Sequence, residues 1–164
     1  MKKRVKMEII VGDKIASDFY IPENEPFNIV GGLPYLYEIN LRKFIIKLQP
    51  FIDNGLLTIR LWKDGDNSYH LKGIWVDDEW AMITGNNLNP RAWRLDLENA
   101  ILIHDPKHEL KDRFTEELMA IRHHTFPVTH YQQIQDKRFY PQRVLKLIKR
   151  LSRIKVDTLI KRLL

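Results

Sequence analysis

Two side chains suited to phosphate esters stand two apart near the middle of the chain. They are His70 and Lys72, in the run His70-Leu71-Lys72-Gly73-Ile74-Trp75-Val76-Asp77, which is followed by Thr84-Gly85-Asn86-Asn87. The pattern reads H-x-K-x4-D-x6-T-G-x-N and is present once. On a β-strand, residues two apart share a face. An imidazole titrates near neutrality, so His70 can attack phosphorus or pass a proton. The Lys72 ammonium can neutralise non-bridging oxygens without a metal ion. Asn87 can donate a hydrogen bond to the same oxygens, and Gly85 lets the backbone come close. Such a histidine needs a carboxylate to orient its second ring nitrogen. Glu98, at the start of a later strand, is the candidate. Asp77 reads as structural, because a carboxylate at a strand end often caps the turn. The bland alternative makes His70 and Lys72 solvated residues on an edge strand. The fixed offset to Gly85 and Asn87 argues against it.

These groups need elements to hold them. Met7 to Val11 reads as a strand, and Lys14 to Pro34 as a loop punctuated by proline and glycine. Tyr35 to Gln49 has helical spacing, with Leu36, Ile39, Phe44 and Leu48 near one face and Pro50, then Asn54-Gly55, as its stop. Strands follow at Leu56 to Trp62, Tyr69 to Val76, Trp80 to Thr84 and Leu97 to His104. A helix is expected from Lys107 to His124, closed by Pro127. Pro141 opens a C-terminal helix. The order predicts an α/β fold, a mixed β-sheet flanked by helices. Residues 1–130 are expected to form the domain with the motif. Residues 131–164 are expected to be a linker, Tyr131 to Tyr140, and a basic amphipathic helix.

At 164 residues the chain can bury a real core. It has no cysteine, which excludes disulfides, thiolate metal sites and a thiol nucleophile. No apolar run approaches a membrane span and no secretory signal is read at Met1. The formal charge of +6 is the balance of +8 in residues 138–164 and −2 in the rest. Basicity therefore belongs to the end of the chain and the body is near neutral. That disfavours a nuclease, which would want basic walls near its site.

Other polar and aromatic residues carry less. His104, His108, His123, His124 and His130 lack companions at ligand spacing, so no metal is expected. Trp62, Trp75, Trp80 and Trp93 read as core residues, with one or two able to line an acyl groove instead. Arg91 and Arg94 stand close to the motif in sequence, where they can hold a pyrophosphate or pair with Asp96.

Residues 70 to 98 resemble the signature of the phospholipase D superfamily, with matching spacing from His70 through Lys72, Asp77 and Asn87 to Glu98. Beyond the signature, Tyr69 to Asp78, Ile83 to Pro106, Glu8 to Asp13, Phe19 to Pro22 and the basic tail are similar to that superfamily's bacterial type I phosphatidylserine synthases, in their C-terminal half. The resemblance implies a phospholipase D-like half-domain and a two-step reaction needing no cofactor. A histidine displaces CMP from CDP-diacylglycerol to form phosphatidyl-histidine, and L-serine then takes the phosphatidyl group. It implies His70, Lys72 and Glu98 as catalytic and Asn87 and Gly85 as substrate-binding. In the C-terminal half the histidine is more often the acid/base than the nucleophile. The chain departs from the family in two ways. Many members have Gly-Ser or Gly-Gly where Thr84-Gly85 stands. The synthases carry two motifs, so a second half in cis, or a homodimer partner, is needed to complete the site.

The tail from Arg143 has apolar residues at 144, 147, 148, 151 and 154, with basic residues between. Such a helix can lie on an anionic membrane, pack its stripe on the body, or bind ribosomal or other RNA. The resemblance implies a cytoplasmic protein peripherally attached to the inner membrane. Two other readings stand beside it. One is a single-motif phosphodiesterase or nuclease working as a symmetric dimer. The other is a membrane- or RNA-binding module with a vestigial site.

Overall fold

The computed structural model describes residues 5–87 and 97–153. The stretch from Asn89 through Arg91, Trp93, Arg94 and Asp96, and the tail beyond Arg153, lie outside the described residues. In chain order the elements are β1 (Met7–Gly12), α1 (Leu33–Asp53), β2 (Leu57–Trp62), β3 (Gly73–Val76), β4 (Trp80–Thr84), β5 (Ala100–His104), α2 (Lys111–His123), β6 (Thr125–Val128) and α3 (Gln142–Arg153), with short 3-10 turns between some of them. They form two compact units. One comprises residues 5–69 and 124–153, the other residues 70–87 and 97–123.

In the first unit β2 is the central strand. It pairs in parallel with β1, from Met7↔Leu57 to Gly12↔Trp62, and antiparallel with β6, from Ile59↔Val128 to Trp62↔Thr125. The mixed sheet and flanking helices match the expected class. Leu57, Ile59 and Leu61 alternate into the core, where they meet Leu41 and Ile45 of α1, Val128 and Ile134. Strand β6 was not legible, because Pro127 reads as a helix stop. It is an edge strand, where a residue without an N–H is tolerated. Helix α1 is longer than expected at both ends. Pro34 stands in its first turn, where the missing N–H costs nothing. Pro50 does not stop the helix. It removes only its own bond to the preceding turn. Asn54 then closes the end, with its backbone N–H and Nδ2 both donating to the Pro50 carbonyl, the latter at 2.7 Å.

The C-terminal helix resolves one open question. Across Gln142–Arg153 the apolar stripe packs inward. Val144 and Leu151 are buried, and Val144 clusters with Tyr35 and Tyr140. A Cβ on Gly32 would meet the Leu147 Cδ2 methyl at 2.5 Å, so a larger residue there would have to push that methyl aside. Residues 131–140 are built in as well, since Ile134 and Tyr140 are buried.

Four tyrosines of this unit are held protonated. Burial is the main cause of a raised phenol pKa at Tyr35, Tyr37, Tyr69 and Tyr140, and the Glu38 carboxylate adds to it at Tyr140. The unfolded chain loses these protons near the ordinary value of 10.0, while the native protein keeps them. Stability from this source is complete below that pH and falls as pH rises through it. Urea midpoints are therefore expected to drop between about pH 9 and about pH 11, and Tyr37→Phe to flatten the drop.

In the second unit β3, β4 and β5 form an antiparallel sheet. Its rows are Ile74–Met82–Leu102 and Val76–Trp80–His104 on one face, and Trp75–Ala81–Ile103 on the other. On the second face Ala81 is buried, and Trp75 lines a cleft of about 270 Å³ with Phe114 and Leu118 of α2. The first face is open. Ile74, Val76, Trp80 and Leu102 are all exposed. Asp105 is buried before α2, and its carboxylate accepts the N–H groups of Glu109 and Leu110 at 3.0 and 2.6 Å. This cap begins α2 at Lys111 and not at Lys107.

Candidate active site

The motif maps onto one end of the second unit's sheet. Strand β3 begins at Gly73, so His70 and Lys72 precede it, where the sequence predicts strand from Tyr69. Lys72 is still tied to the sheet, because its carbonyl accepts the Thr84 N–H at 3.1 Å. His70 is exposed and Lys72 half-buried. Strand β4 delivers Thr84, Gly85 and Asn87 to the same end, and Asn87 is exposed. Strand β5 begins at Ala100, so exposed Glu98 lies just before it and not within it.

Two candidates meet directly. A Cβ built on Gly85 would stand 2.5 Å from Glu98 Oε2 and 3.4 Å from its Cδ. The carboxylate therefore lies over the glycine, in space that any other residue would fill. Gly85→Ala is expected to push the Glu98 side chain aside at small cost in stability, since a long exposed side chain gives way easily. Activity that depends on this carboxylate should fall about tenfold or more, while the thermal midpoint stays within a few degrees. A steady-state assay with a melting curve checks both.

Asp77 stands apart from this group. It lies five residues beyond Lys72, about 16 Å at strand rise. The Val76 carbonyl accepts the Glu79 N–H at 3.1 Å, and the two residues between have positive φ, 53° at Asp77 and 56° at Asp78. Aspartate tolerates this left-handed region better than most residues. The Asp78 carboxylate is further held by Lys111 at 3.2 Å.

Sequence reasoning missed Thr84. Its Oγ1 accepts the Asn86 N–H at 3.0 Å and donates to the Asn99 carbonyl at 3.2 Å. The first of these bonds was legible, because a threonine two residues before a turn N–H is a familiar local motif. The second needs the strand pairing.

The remaining histidines have other partners. His104 stacks on Trp80 with ring centres 3.8 Å apart and bonds Glu79 at 2.8 Å. The His108 ring meets the Asp78 carbonyl at 3.2 Å, His124 pairs with Asp64 at 3.3 Å, and His130 caps the turn at Tyr131–Gln133. Among the described residues no three His, Asp or Glu side chains converge as metal ligands would.

The chain is similar to known proteins. The family described as cardiolipin synthase, PLD-like domain, matches residues 2–122. The chain is 62% identical, over all 164 residues, to the CDP-diacylglycerol–serine O-phosphatidyltransferase of Escherichia coli K12, covering 36% of that protein. It is 54% identical over 159 residues to the enzyme of the same name from Haemophilus influenzae, with 97% of this chain and 35% of that one covered. The crystal structure of phosphatidylserine synthase from Haemophilus influenzae superposes with a TM-score of 0.91, across 97% of this chain and 36% of that one. The chain thus spans about a third of the length of the curated relatives it matches.

Proposed function

Because the chain belongs to the family of cardiolipin synthase, PLD-like domains, we propose that it supplies one half-site of a phosphatidylserine synthase. In this reading the complete enzyme transfers the phosphatidyl group of CDP-diacylglycerol to L-serine and releases CMP. The carrying observation is the 62% identity to an enzyme of that name across every residue of the chain.

The chemistry follows from the side chains. One motif histidine attacks the phosphorus bearing the diacylglycerol, the bond to the CMP oxygen breaks, and phosphatidyl-histidine forms. The other histidine protonates the departing CMP. It then takes the serine hydroxyl proton as that oxygen displaces the first histidine. His70 fills one of these roles, that of acid and base by its place in the C-terminal half. Lys72 and Asn87 hold the non-bridging oxygens, where fixed positive charge lowers the barrier most. Glu98 orients the His70 ring, and Gly85 leaves room for both the carboxylate and the phosphate.

The second histidine comes from a second motif, in cis or from a partner copy. The open sheet face of Ile74, Val76, Trp80 and Leu102 supports further protein on this side, since so much contiguous apolar surface is unusual on a finished one. Peripheral attachment to an anionic inner-membrane surface from the cytoplasm completes the reading. No described helix is long and apolar enough to cross a membrane. With the α3 stripe packed inward, contact there is electrostatic, through exposed Lys146 and Arg150.

The test is a chimaera. This chain replaces its matching segment in the Escherichia coli relative, and CMP release is measured with and without serine. Serine-dependent release is expected. A folded chimaera that releases none sinks the proposal, and one that cleaves nucleic acid instead favours the nuclease reading.

A further inference from the structure

We propose that Thr84 is a positioning residue that holds the Glu98 carboxylate in place. This rests on the reading above, in which Glu98 serves phosphatidyl transfer. Thr84 connects three segments. Its backbone N–H goes to the Lys72 carbonyl at 3.1 Å. Its hydroxyl donates to the carbonyl of Asn99, the residue after Glu98, at 3.2 Å. The same oxygen accepts the N–H of Asn86, between Gly85 and Asn87, at 3.0 Å. A hydroxyl has one proton and two lone pairs, so both bonds form together. One side chain therefore fixes the distance between the turn that carries Gly85 and the segment that carries Glu98. The carboxylate in turn lies over Gly85, 2.5 Å from where a Cβ would begin.

This gives the departure at Thr84-Gly85 a physical meaning. Members with Gly-Ser have a hydroxyl at the second position. Here a serine at 85 would displace the Glu98 carboxylate, and the hydroxyl stands one residue earlier, already bonded to two backbone groups. Thr84 does not touch the reacting atoms. It acts on the reaction through Glu98.

The test uses the chimaera with Thr84→Val, which keeps the branched shape and removes the hydroxyl, and Thr84→Ser, which keeps the hydroxyl. Misplacing a catalytic group by a fraction of an ångström costs up to about a hundredfold. Thr84→Val is expected to lower kcat about ten- to a hundredfold, to leave the KM for CDP-diacylglycerol within about threefold, and to be rescued by serine. In a Glu98→Gln background, Thr84→Val should have little further effect, since both changes remove one function. Hydrogen exchange at the Asn86 amide should quicken in the valine variant and not in the serine one. If valine prevents folding, Thr84→Ala removes the same hydroxyl. Full activity with a quickened Asn86 amide overturns the proposal, as do independent losses from Thr84→Val and Glu98→Gln. An inert parent chimaera marks a different failure. Phosphatidyl transfer itself is then wrong, and a positioning role falls with it.

Discussion

His70→Ala in the chimaera is expected to lower serine-dependent CMP release by at least about a thousandfold. In the proposed reaction this imidazole moves the proton in both half-reactions. In this reading Lys72 supplies charge and does not replace the proton transfer. Lys72→Ala should cost almost as much, because it leaves the non-bridging oxygens without their fixed cation. Lys72→Arg should recover little, since a planar fork does not reproduce a compact ammonium. His70 is exposed, so its loss should leave the melting temperature nearly unchanged. Loss of activity with an intact melt is the expected pair of results. His70→Ala retaining a tenth or more of the parent rate would remove His70 from the mechanism.

Glu38→Ala is expected to destabilise the protein by about 3 kcal/mol or more. Lys14 and Glu38 pair at 3.0 Å, with only 14% and 11% of their side chains exposed. The Lys14 ammonium sits 5.2 Å from the Tyr35 ring centre and 5.4 Å from that of Tyr140, and it also donates to Gln135 Oε1. One cation thus joins the turn at Lys14–Ala16, helix α1 and the 131–140 segment. Removing Glu38 takes from a mostly buried ammonium the carboxylate it is paired with. The Tyr rings and Gln135 compensate only in part. Against a typical domain stability of about 5–15 kcal/mol, such a loss is visible in any denaturant titration. Lys14→Met combined with Glu38→Leu should recover much of it, because no charge is then stranded. If Glu38→Ala shifts the urea midpoint by less than the width of the transition, the pair has no such weight.

What could be read in advance divides along range. Strands β1, β2 and β4 and the hairpin turn at Asp77-Asp78 were legible from alternation and local turn chemistry, which act over a few residues. The errors fell where a long-range partner overrides a local rule. Pro127 sits in a strand because an edge strand needs no N–H there. Pro50 is a local exception: the helix runs through it to Asp53 and ends at the Asn54-Gly55 part of the expected stop. Gln142–Arg153 looked equally suited to a membrane or to the body, since amphipathic spacing is the same for both. The burial of Val144 among Tyr35 and Tyr140 decides for the body.

The same division holds at the site. The linear pattern by itself determined that His70, Lys72, Asn87 and Glu98 resemble one family's signature, because their identities and offsets are properties of the chain. Only the tertiary structure decided that Glu98 lies over Gly85 and that Thr84 bonds to Asn99. Those contacts join the end of β4 to the segment just before β5 across thirteen and fifteen residues. Strand register, set by which apolar rows are paired, fixes such distances, and no spacing rule along one strand contains it.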